Sequence, residues 1–311
     1  MADVRAWFDG DSDRGQLLLV TALALAVMLV TVALLLNTAI FTENVATRDT
    51  TADGSEAIEL RGEAVAAVGE LIETENRAGD GNPENVDDAI DAMGPLVDRE
   101  RARHGTVATL NRSRSATSGQ LLRWNDSGNP RAFDEYGTSW TFVESLDNAR
   151  GFRVAIDPST LIETTAASSD TNAMGVRFLN STTDNVTYYL YEDGTTLSVA
   201  KAVDGGTPTR QCSIEHDGTT TVEFTASQLS TTGAATDCFR ELWPPNSPAE
   251  IRFVNVGDEK GTAEATVESG ATPIGDVDDD SAVYSATVDI TYQSQDLLFE
   301  TTVRVAPGEP R

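Results

Sequence analysis

The sequence predicts an α+β protein in which a long apolar helix and a helical pair precede an antiparallel, sandwich-like, β-rich head. An uninterrupted apolar run covers residues 17–36. Apolar residues then recur at helical spacing between residues 56 and 103. From about residue 121, short stretches rich in Val, Thr, Tyr and Phe alternate with turn signals, which is typical of an antiparallel sandwich.

The chain is strongly acidic. Its 311 residues include 50 Asp and Glu against 22 Lys and Arg, a formal net charge of -28. Nucleic acid is excluded as an expected partner, because phosphate binding requires clustered positive charge. The acidic residues are spread over the whole polar part and only Lys201 and Lys260 are lysines, which indicates a surface adapted to high salt, as in a halophile.

The apolar run has the length of a transmembrane helix. Twenty residues at about 1.5 Å each span roughly 30 Å, the thickness of the hydrocarbon core of a bilayer. The run is longer than an ordinary signal peptide core. It directly follows Asp13, Arg14, Gly15 and Gln16.

This arrangement resembles the class III signal of archaeal type IV pilins. The resemblance implies that a prepilin peptidase cuts between Gly15 and Gln16 on the cytoplasmic side, and that the apolar helix is retained. Val20 stands where bacterial pilins usually carry Glu. The assembly contact that this Glu makes in bacterial pilins is therefore not expected here. A plain signal anchor whose flank contains Arg-Gly is the alternative.

The stretch between the apolar run and the head predicts two antiparallel helices. Asp53 and Glu56 form a capping box, and Ile58, Val65, Val68 and Ile72 share one face of a helix over residues 56–78. A second helix over residues 83–103 opens with Asn82 as its cap. The Gly94-Pro95 pair should kink or break it.

Ten strands are predicted in the head, and Glu192-Asp193-Gly194 marks the clearest hairpin turn. The last two predicted strands form a terminal hairpin. The predicted strands cover residues 139–144, 151–156, 176–179, 186–191, 196–200, 220–224, 250–256, 262–267, 282–292 and 296–305.

Two kinds of covalent modification are expected outside the cell. Cys212 and Cys238 should form a disulfide there. Asn-x-Ser/Thr sequons for N-glycosylation occur at Asn111, Asn125, Asn180 and Asn185, all after the apolar run.

The sequence offers no catalytic constellation, so we expect a non-enzymatic protein without a cofactor. His104 and His216 are the only histidines, and no nucleophile elbow or phosphate-binding loop occurs. Asp276, Asp278 and Asp280 form a weak calcium candidate, but Ser281 and Thr287 replace the Gly and Glu that an EF-hand loop requires. The scattered tryptophans are expected in the core.

The predicted organisation has four parts: a cytoplasmic leader (1–15), a transmembrane helix (16–51), a helical pair or stalk (52–105) and an extracellular head (106–311). The resemblance implies a single-pass surface subunit, and its head is large for a major pilin, which favours a minor or tip subunit. Its expected partners are membrane lipid, other pilin-like subunits, the prepilin peptidase and the assembly machinery. A statically anchored adhesion protein that does not polymerise is the alternative.

Overall fold

The computed structural model describes residues 54–125, 131–180, 185–245 and 248–310. The chain is helical over residues 54–78 (α1), Pro83–Arg103 (α2) and Ser169–Asn172 (α3). The strands are β1 (Val107–Trp124), β2 (Arg131–Ala132), β3 (Ser139–Glu144), β4 (Ala149–Ile156), β5 (Met174–Leu179), β6 (Val186–Asp193), β7 (Thr196–Val203), β8 (Thr209–Glu215), β9 (Thr220–Glu223), β10 (Gln228–Ser230), β11 (Ala235–Asp237), β12 (Glu250–Val254), β13 (Lys260–Glu268), β14 (Thr272–Pro273), β15 (Asp278–Gln293) and β16 (Leu298–Val305).

The strands form two sheets, and every pairing between the named strands is antiparallel. The larger sheet has the order β11-β10-β9-β4-β13-β1-β15-β16, with β2 paired to β13. The smaller sheet has the order β14-β3-β12-β5-β6-β7-β8. The predicted mixture of helices with antiparallel sheets is therefore confirmed.

The two sheets enclose a core rich in aromatic side chains. Trp124 of β1 stacks on Phe133 at 4.5 Å between ring centroids and lies 5.4 Å from Trp140 of β3. Further along, Phe152 stacks on Phe224 at 5.1 Å. Trp124, Trp140 and Trp243 are all buried, as predicted, but Trp124 and Trp140 meet in one cluster although the sequence suggested scattered tryptophans.

A second core lies between the helices and one half of the larger sheet. Along α1, Leu60, Val68 and Ile72 are buried against β1, β15 and β16, and Val86 and Ile90 of α2 join them. The 18-residue β1 contributes side chains to both cores, whereas the 16-residue β15 that pairs along it contributes to this second core. The helical pair is thus packed on the sheet that forms the head.

The helix predictions were correct in extent and wrong in two details. Asn82 caps α2 as predicted, accepting a hydrogen bond from the Glu84 amide at 3.0 Å. Ile58, expected on the buried face of α1, is 69% exposed, since Ala57 and Leu60 occupy that face instead. The capping residue Asp53 lies outside the described residues.

Gly94-Pro95 was expected to kink or break α2, and the break is wrong, because α2 continues through Pro95. Pro95 removes the hydrogen bond to the Asp91 carbonyl, and both residues are exposed, so water can solvate that carbonyl. Gly94 lets the helix approach β1, since a Cβ there would lie 2.6 Å from the Leu110 carbonyl oxygen. Packing of α2 on the sheet therefore outweighs the local preference for a break.

All ten predicted strands are present, with bounds that differ by a few residues. The Gly194 turn joins β6 to β7 with Asp193 opposite Thr196, and β15 and β16 form the terminal hairpin. None of the predicted strands covers β1 or β8, and the short strands β2, β10, β11 and β14 were not predicted either.

The predicted membrane helix over residues 17–36 lies outside the described residues. Within the described ranges, none of the helices combines the length and the hydropathy that crossing a bilayer requires.

Candidate functional site

The junction between the helical pair and the larger sheet is built around an irregularity in β1. The register of β1 against β15 shifts between Arg112 and Arg114, between Arg114 and Thr117, and again between Thr117 and Ser118. Such bulges leave backbone groups without ladder partners, and buried backbone groups require other partners. Polar side chains from both helices supply them here.

Asp87 of α2 is the partner of one such backbone group on β1. It is 4% exposed, and its Oδ1 accepts a hydrogen bond from the Ala116 amide at 2.9 Å. Its Oδ2 lies 2.8 Å from Arg112 Nη1, and Asp91 binds the other terminal nitrogen of Arg112 at 3.1 Å. The hydrogen bond to Asp87 and its charge raise the pKa of Arg112.

Asn76 of α1 is the partner of two backbone groups on β15. Its side-chain amide donates to the Val283 carbonyl at 3.0 Å and its carbonyl accepts from the Val283 amide at 2.7 Å. The Asn76 side chain therefore bonds β15 as a neighbouring strand would, which fixes α1 against the sheet.

Arg150 connects α1, β15 and the C-terminal segment. It is 2% exposed; its Nη1 pairs with Glu73 of α1 and donates to the Pro307 carbonyl at 2.8 Å. Its Nη2 donates to the Val283 carbonyl at 3.0 Å. A buried guanidinium requires such compensation, so these contacts hold the three segments in one arrangement.

These contacts fasten the helical pair to the larger sheet. Asn76, Asp87 and Arg150 join the two through buried polar contacts as well as apolar packing. The arrangement contains no nucleophile-base pair.

The predicted disulfide is present between Cys212 of β8 and Cys238, which follows β11. The bond therefore ties an edge strand of the smaller sheet to the segment that leaves an edge strand of the larger one. A closed loop of this size stabilises a fold by about 3 kcal/mol in the chain-entropy model. The bond leaves Cys212 and Cys238 without a free thiol.

The four predicted glycosylation sites have different surroundings. Asn111 is exposed on β1, opposite Asp289 of β15. Asn125 is 7% exposed and its amide nitrogen donates to the Gly261 carbonyl at 2.8 Å, so the folded chain does not present it. Asn180 and Asn185 are half-buried on either side of residues 181–184, which the structure does not describe.

The carboxylates of the acidic run at the start of β15 do not converge on one point. Asp280 pairs with Arg123 at 2.8 Å, and the neighbouring Asp279 accepts a hydrogen bond from Gln120 at 3.0 Å. In the described parts of the chain, no group of three His, Cys, Asp or Glu side chains is placed to hold a metal ion. The weak calcium candidate formed by Asp276, Asp278 and Asp280 is therefore not supported.

The two histidines lie apart, on different elements. His104 ends α2 with its side chain 69% exposed, 3.6 Å from Glu100. His216 follows β8, and its Nε2 lies 3.3 Å from Glu192. Neither arrangement brings a hydroxyl nucleophile to the imidazole.

The predicted cleavage site at Gly15 and Gln16 lies outside the described residues. The contacts of the junction residues Asn76, Asp87 and Arg150 were not predicted from the sequence. Asp87 follows the apolar Val86 on the core-facing side of α2, and that position was the one signal that could have drawn attention to it.

Comparison with known families gives one match. The model of a family of unknown function (DUF7261) matches residues 11–139, which is less than half of the chain. The matched region begins two residues before Asp13 and includes the apolar run, both helices of the pair and β1. A search of curated proteins found no match.

Proposed function

We propose that the chain is a type IV pilin-like, membrane-anchored cell-surface subunit without enzymatic activity. The observation that carries the proposal is the sequence Asp13-Arg14-Gly15-Gln16 directly before the apolar run of residues 17–36. A prepilin peptidase would remove residues 1–15 and leave the helix at the new N-terminus. The head would remain outside the cell, joined to the helix by residues 37–53.

Three observations support this proposal. The family match begins at residue 11, next to the proposed cleavage site, and continues through the apolar run and the helical pair, so these segments recur together in other sequences. The disulfide between Cys212 and Cys238 suits an oxidising, extracellular location. The buried polar contacts of Asn76, Asp87 and Arg150 give the head a firm attachment to the helical pair that follows the anchor.

Physically, the retained helix would have two apolar environments. It would lie in the bilayer before assembly and among neighbouring helices within a filament afterwards, at little cost in desolvation. Ala22, Ala24, Ala26 and Ala33 would permit close approach of neighbouring helices. The head is large for a major pilin, which favours a minor or tip subunit.

The N-terminus of the mature protein tests the proposal. Mass spectrometry of the protein from native membranes should find a first residue of Gln16, with residues 1–15 absent. Replacing Gly15→Val should leave the leader attached, because the resemblance places Gly15 at the scissile bond. Gly10→Val, five residues earlier, is the matched control and should be processed normally.

Each outcome has a defined meaning. An intact leader in the wild-type protein would favour the static signal anchor and count against the pilin-like subunit. Recovery of a freely soluble protein that lacks residues 17–36 would contradict both.

A further inference from the structure

The two helices of the pair leave an open groove between them, near the start of α1. The groove has a volume of about 320 Å³, and among the described residues its lining comes from α1, from α2 and from the cap residue His104. Leu60 of α1 and Val97 of α2 are its apolar lining residues. No described strand lines it, so the packing of the helices on the larger sheet does not fill it.

The acidic residues of this groove already have cationic partners. Glu63 of α1 lies 3.0 Å from Arg101 of α2, and Glu100 lies 2.9 Å from Arg103. A charged ligand would have to compete with these ion pairs. The groove therefore favours an apolar occupant over an ionic one, since a hydrophobic floor with a polar rim is the usual receptor for the apolar face of a helix.

An exposed leucine extends the apolar lining. Leu96 is 60% exposed. On α2 it is adjacent to Val97 and lies one turn before Glu100, on the same side of the helix. Single exposed apolar residues are common, but Leu96 continues a groove that has apolar lining of its own. Such a continuous apolar surface is typical of a docking site.

The ion pair between Glu63 and Arg101 fixes the level of α2 along α1. Residues 79–82 connect the two helices, so the helices run antiparallel. At 1.5 Å per residue, Leu60 lies about 9 Å and Glu63 about 14 Å from the first residue of α1. Leu96 lies about 7 Å beyond Arg101 on α2, which places it about 21 Å from the same start. The apolar lining therefore extends over these levels of the helical pair.

The segment that enters α1 has apolar residues at matching levels. Residues 37–53 lie outside the described residues, and Phe41 and Val45 are four apart there, on one face of the predicted helix over residues 16–51. A helix that reversed direction at residue 53 and ran back over the pair would place Val45 about 12 Å and Phe41 about 18 Å along it. Val45 would then lie near Leu60, and Phe41 near Leu96.

The covalent link favours this segment over a separate partner. Nine residues separate Val45 from Gly54, and such a link can span up to about 30 Å, far more than the distance to the groove. A short linker gives the attached group an effective concentration in roughly the millimolar range. A separate protein would have to reach the same groove without that advantage.

We propose that residues 37–53 fold back over the helical pair and that Phe41 and Val45 occupy the groove lined by Leu60, Leu96 and Val97. The predicted membrane helix would then be attached to the head along the side of the helical pair as well as through the chain itself. The inference goes beyond the proposed function, since it requires neither leader cleavage nor assembly with other subunits.

Site-directed crosslinking in the full-length, membrane-bound protein tests the contact. With Phe41→Cys and Leu96→Cys in one chain, a short bis-maleimide should join the two positions within that chain, and peptide mapping identifies the link. The native cysteines do not react, because Cys212 and Cys238 form a disulfide.

Phe41→Cys with Ile58→Cys is the matched control. Ile58 is apolar and 69% exposed, and it is only 17 positions from Phe41, but it lies on the side of α1 opposite to Leu60. The Leu96 pair should link at least tenfold faster than the Ile58 pair. Equal rates, or no link at Leu96→Cys, would overturn the proposal. A link between two chains would overturn it as well, by assigning the groove to a second copy.

Thiol protection gives a second test. In the single variant Phe41→Cys, the rate of labelling by a charged maleimide should rise at least fivefold when Leu96→Glu is added, because a carboxylate in the groove would expel the apolar segment. Ile58→Glu should leave the rate unchanged. An unchanged rate with Leu96→Glu, or an equal rise with Ile58→Glu, would overturn the proposal, since any protection would then come from elsewhere.

Both substituted helix positions are exposed, so the variants should keep the Cys212–Cys238 bond, which non-reducing mass mapping checks. Repeating the crosslinking in the Gly15→Val background separates the two proposals. A link within one chain that forms with the leader intact supports the folded-back segment even where leader removal has failed.

Discussion

At the scale of single residues, the junction depends on polar side chains that replace missing strand partners. Asp87 carries two such bonds, to the Ala116 amide and to Arg112. Truncating it leaves the buried Ala116 amide without an acceptor and leaves the Arg112 guanidinium with Asp91 as its remaining acid partner. The cost of that loss exceeds the modest net gain from forming an ordinary hydrogen bond.

Asp87→Ala should therefore lower the free energy of unfolding by about 2–4 kcal/mol, the range for breaking one side of a buried charged contact. Asp88→Ala removes the adjacent, exposed carboxylate and should change it by no more than about 0.5 kcal/mol. Denaturant titration of the two variants and the wild type measures both values. Equal, small effects would show that the contact at Asp87 does not stabilise the junction.

Glu259 supplies a pH-dependent contribution. It is 7% exposed, and burial raises its pKa above the ordinary value of 4.5. The folded state therefore holds the proton more tightly than the unfolded chain. Stability increases as pH falls through the raised pKa, and the increase is complete below about 4.5.

Glu259→Gln removes this titration. The stability of the wild type minus that of Glu259→Gln should rise as pH is lowered from 7 to 4.5. Urea unfolding of both proteins at several pH values in this window measures the difference, in which the titrations of other groups cancel. Parallel curves for the two proteins would contradict the prediction.

At the scale of elements, α2 shows how packing overrides local preference. Two glycines in the helical pair have opposite surroundings. A Cβ on Gly94 would lie 2.6 Å from the Leu110 carbonyl oxygen, whereas a Cβ on Gly62 would have nothing within 4 Å. Alanine favours helices over glycine by about 1 kcal/mol in both places, so the contact with β1 decides the sign at Gly94.

We predict that Gly94→Ala destabilises the protein by about 1–3 kcal/mol, because the helix must move away from β1. Gly62→Ala, the matched control, should stabilise it by about 0.5–1 kcal/mol. Thermal unfolding of the two variants compares them directly. A stabilising Gly94→Ala would mean that α2 does not approach the sheet this closely.

The strands that the sequence could predict are runs rich in β-branched and aromatic residues that end at clear turns. β3, β6 and the terminal hairpin have β-branched or aromatic residues on their buried faces and clear turns at their ends. β1 was missed because residues 111–115 read Asn-Arg-Ser-Arg-Ser, a polar run typical of a loop. It is a strand because β15 pairs with it along one side, β13 pairs with its C-terminal part and the helical pair covers one face.

The junction residues could not be predicted for a related reason. Asn76 and Asp87 lie on helices, where a polar residue usually faces water, and their partners are distant in sequence. The Asn76–Val283 bond joins residues 207 positions apart. Arg150 likewise gains its role only when α1, β15 and the C-terminal segment meet. The disulfide was predictable because only two cysteines exist.

At the scale of the whole molecule, the net charge of -28 opposes compaction. The Debye length falls from about 10 Å at 0.1 M salt to about 3 Å at 1 M, so added salt should screen this repulsion. The melting temperature should rise by several degrees between 0.1 M and 2 M KCl. A melting temperature that is flat or falls with KCl would show that carboxylate repulsion is not what limits stability.

The passage of β1 through both cores limits how the chain can be divided. The family match stops at residue 139, while β13 and β15, the strands on either side of β1, lie between residues 260 and 293. A fragment cut at that boundary would expose both edges of an 18-residue strand, and it would uncover most of the apolar face of the helices because β15 and β16 would be absent. The matched region is therefore not an independent folding unit. Any protein that shares this region and folds in this way must supply the two strands that pair with β1 from another part of its chain.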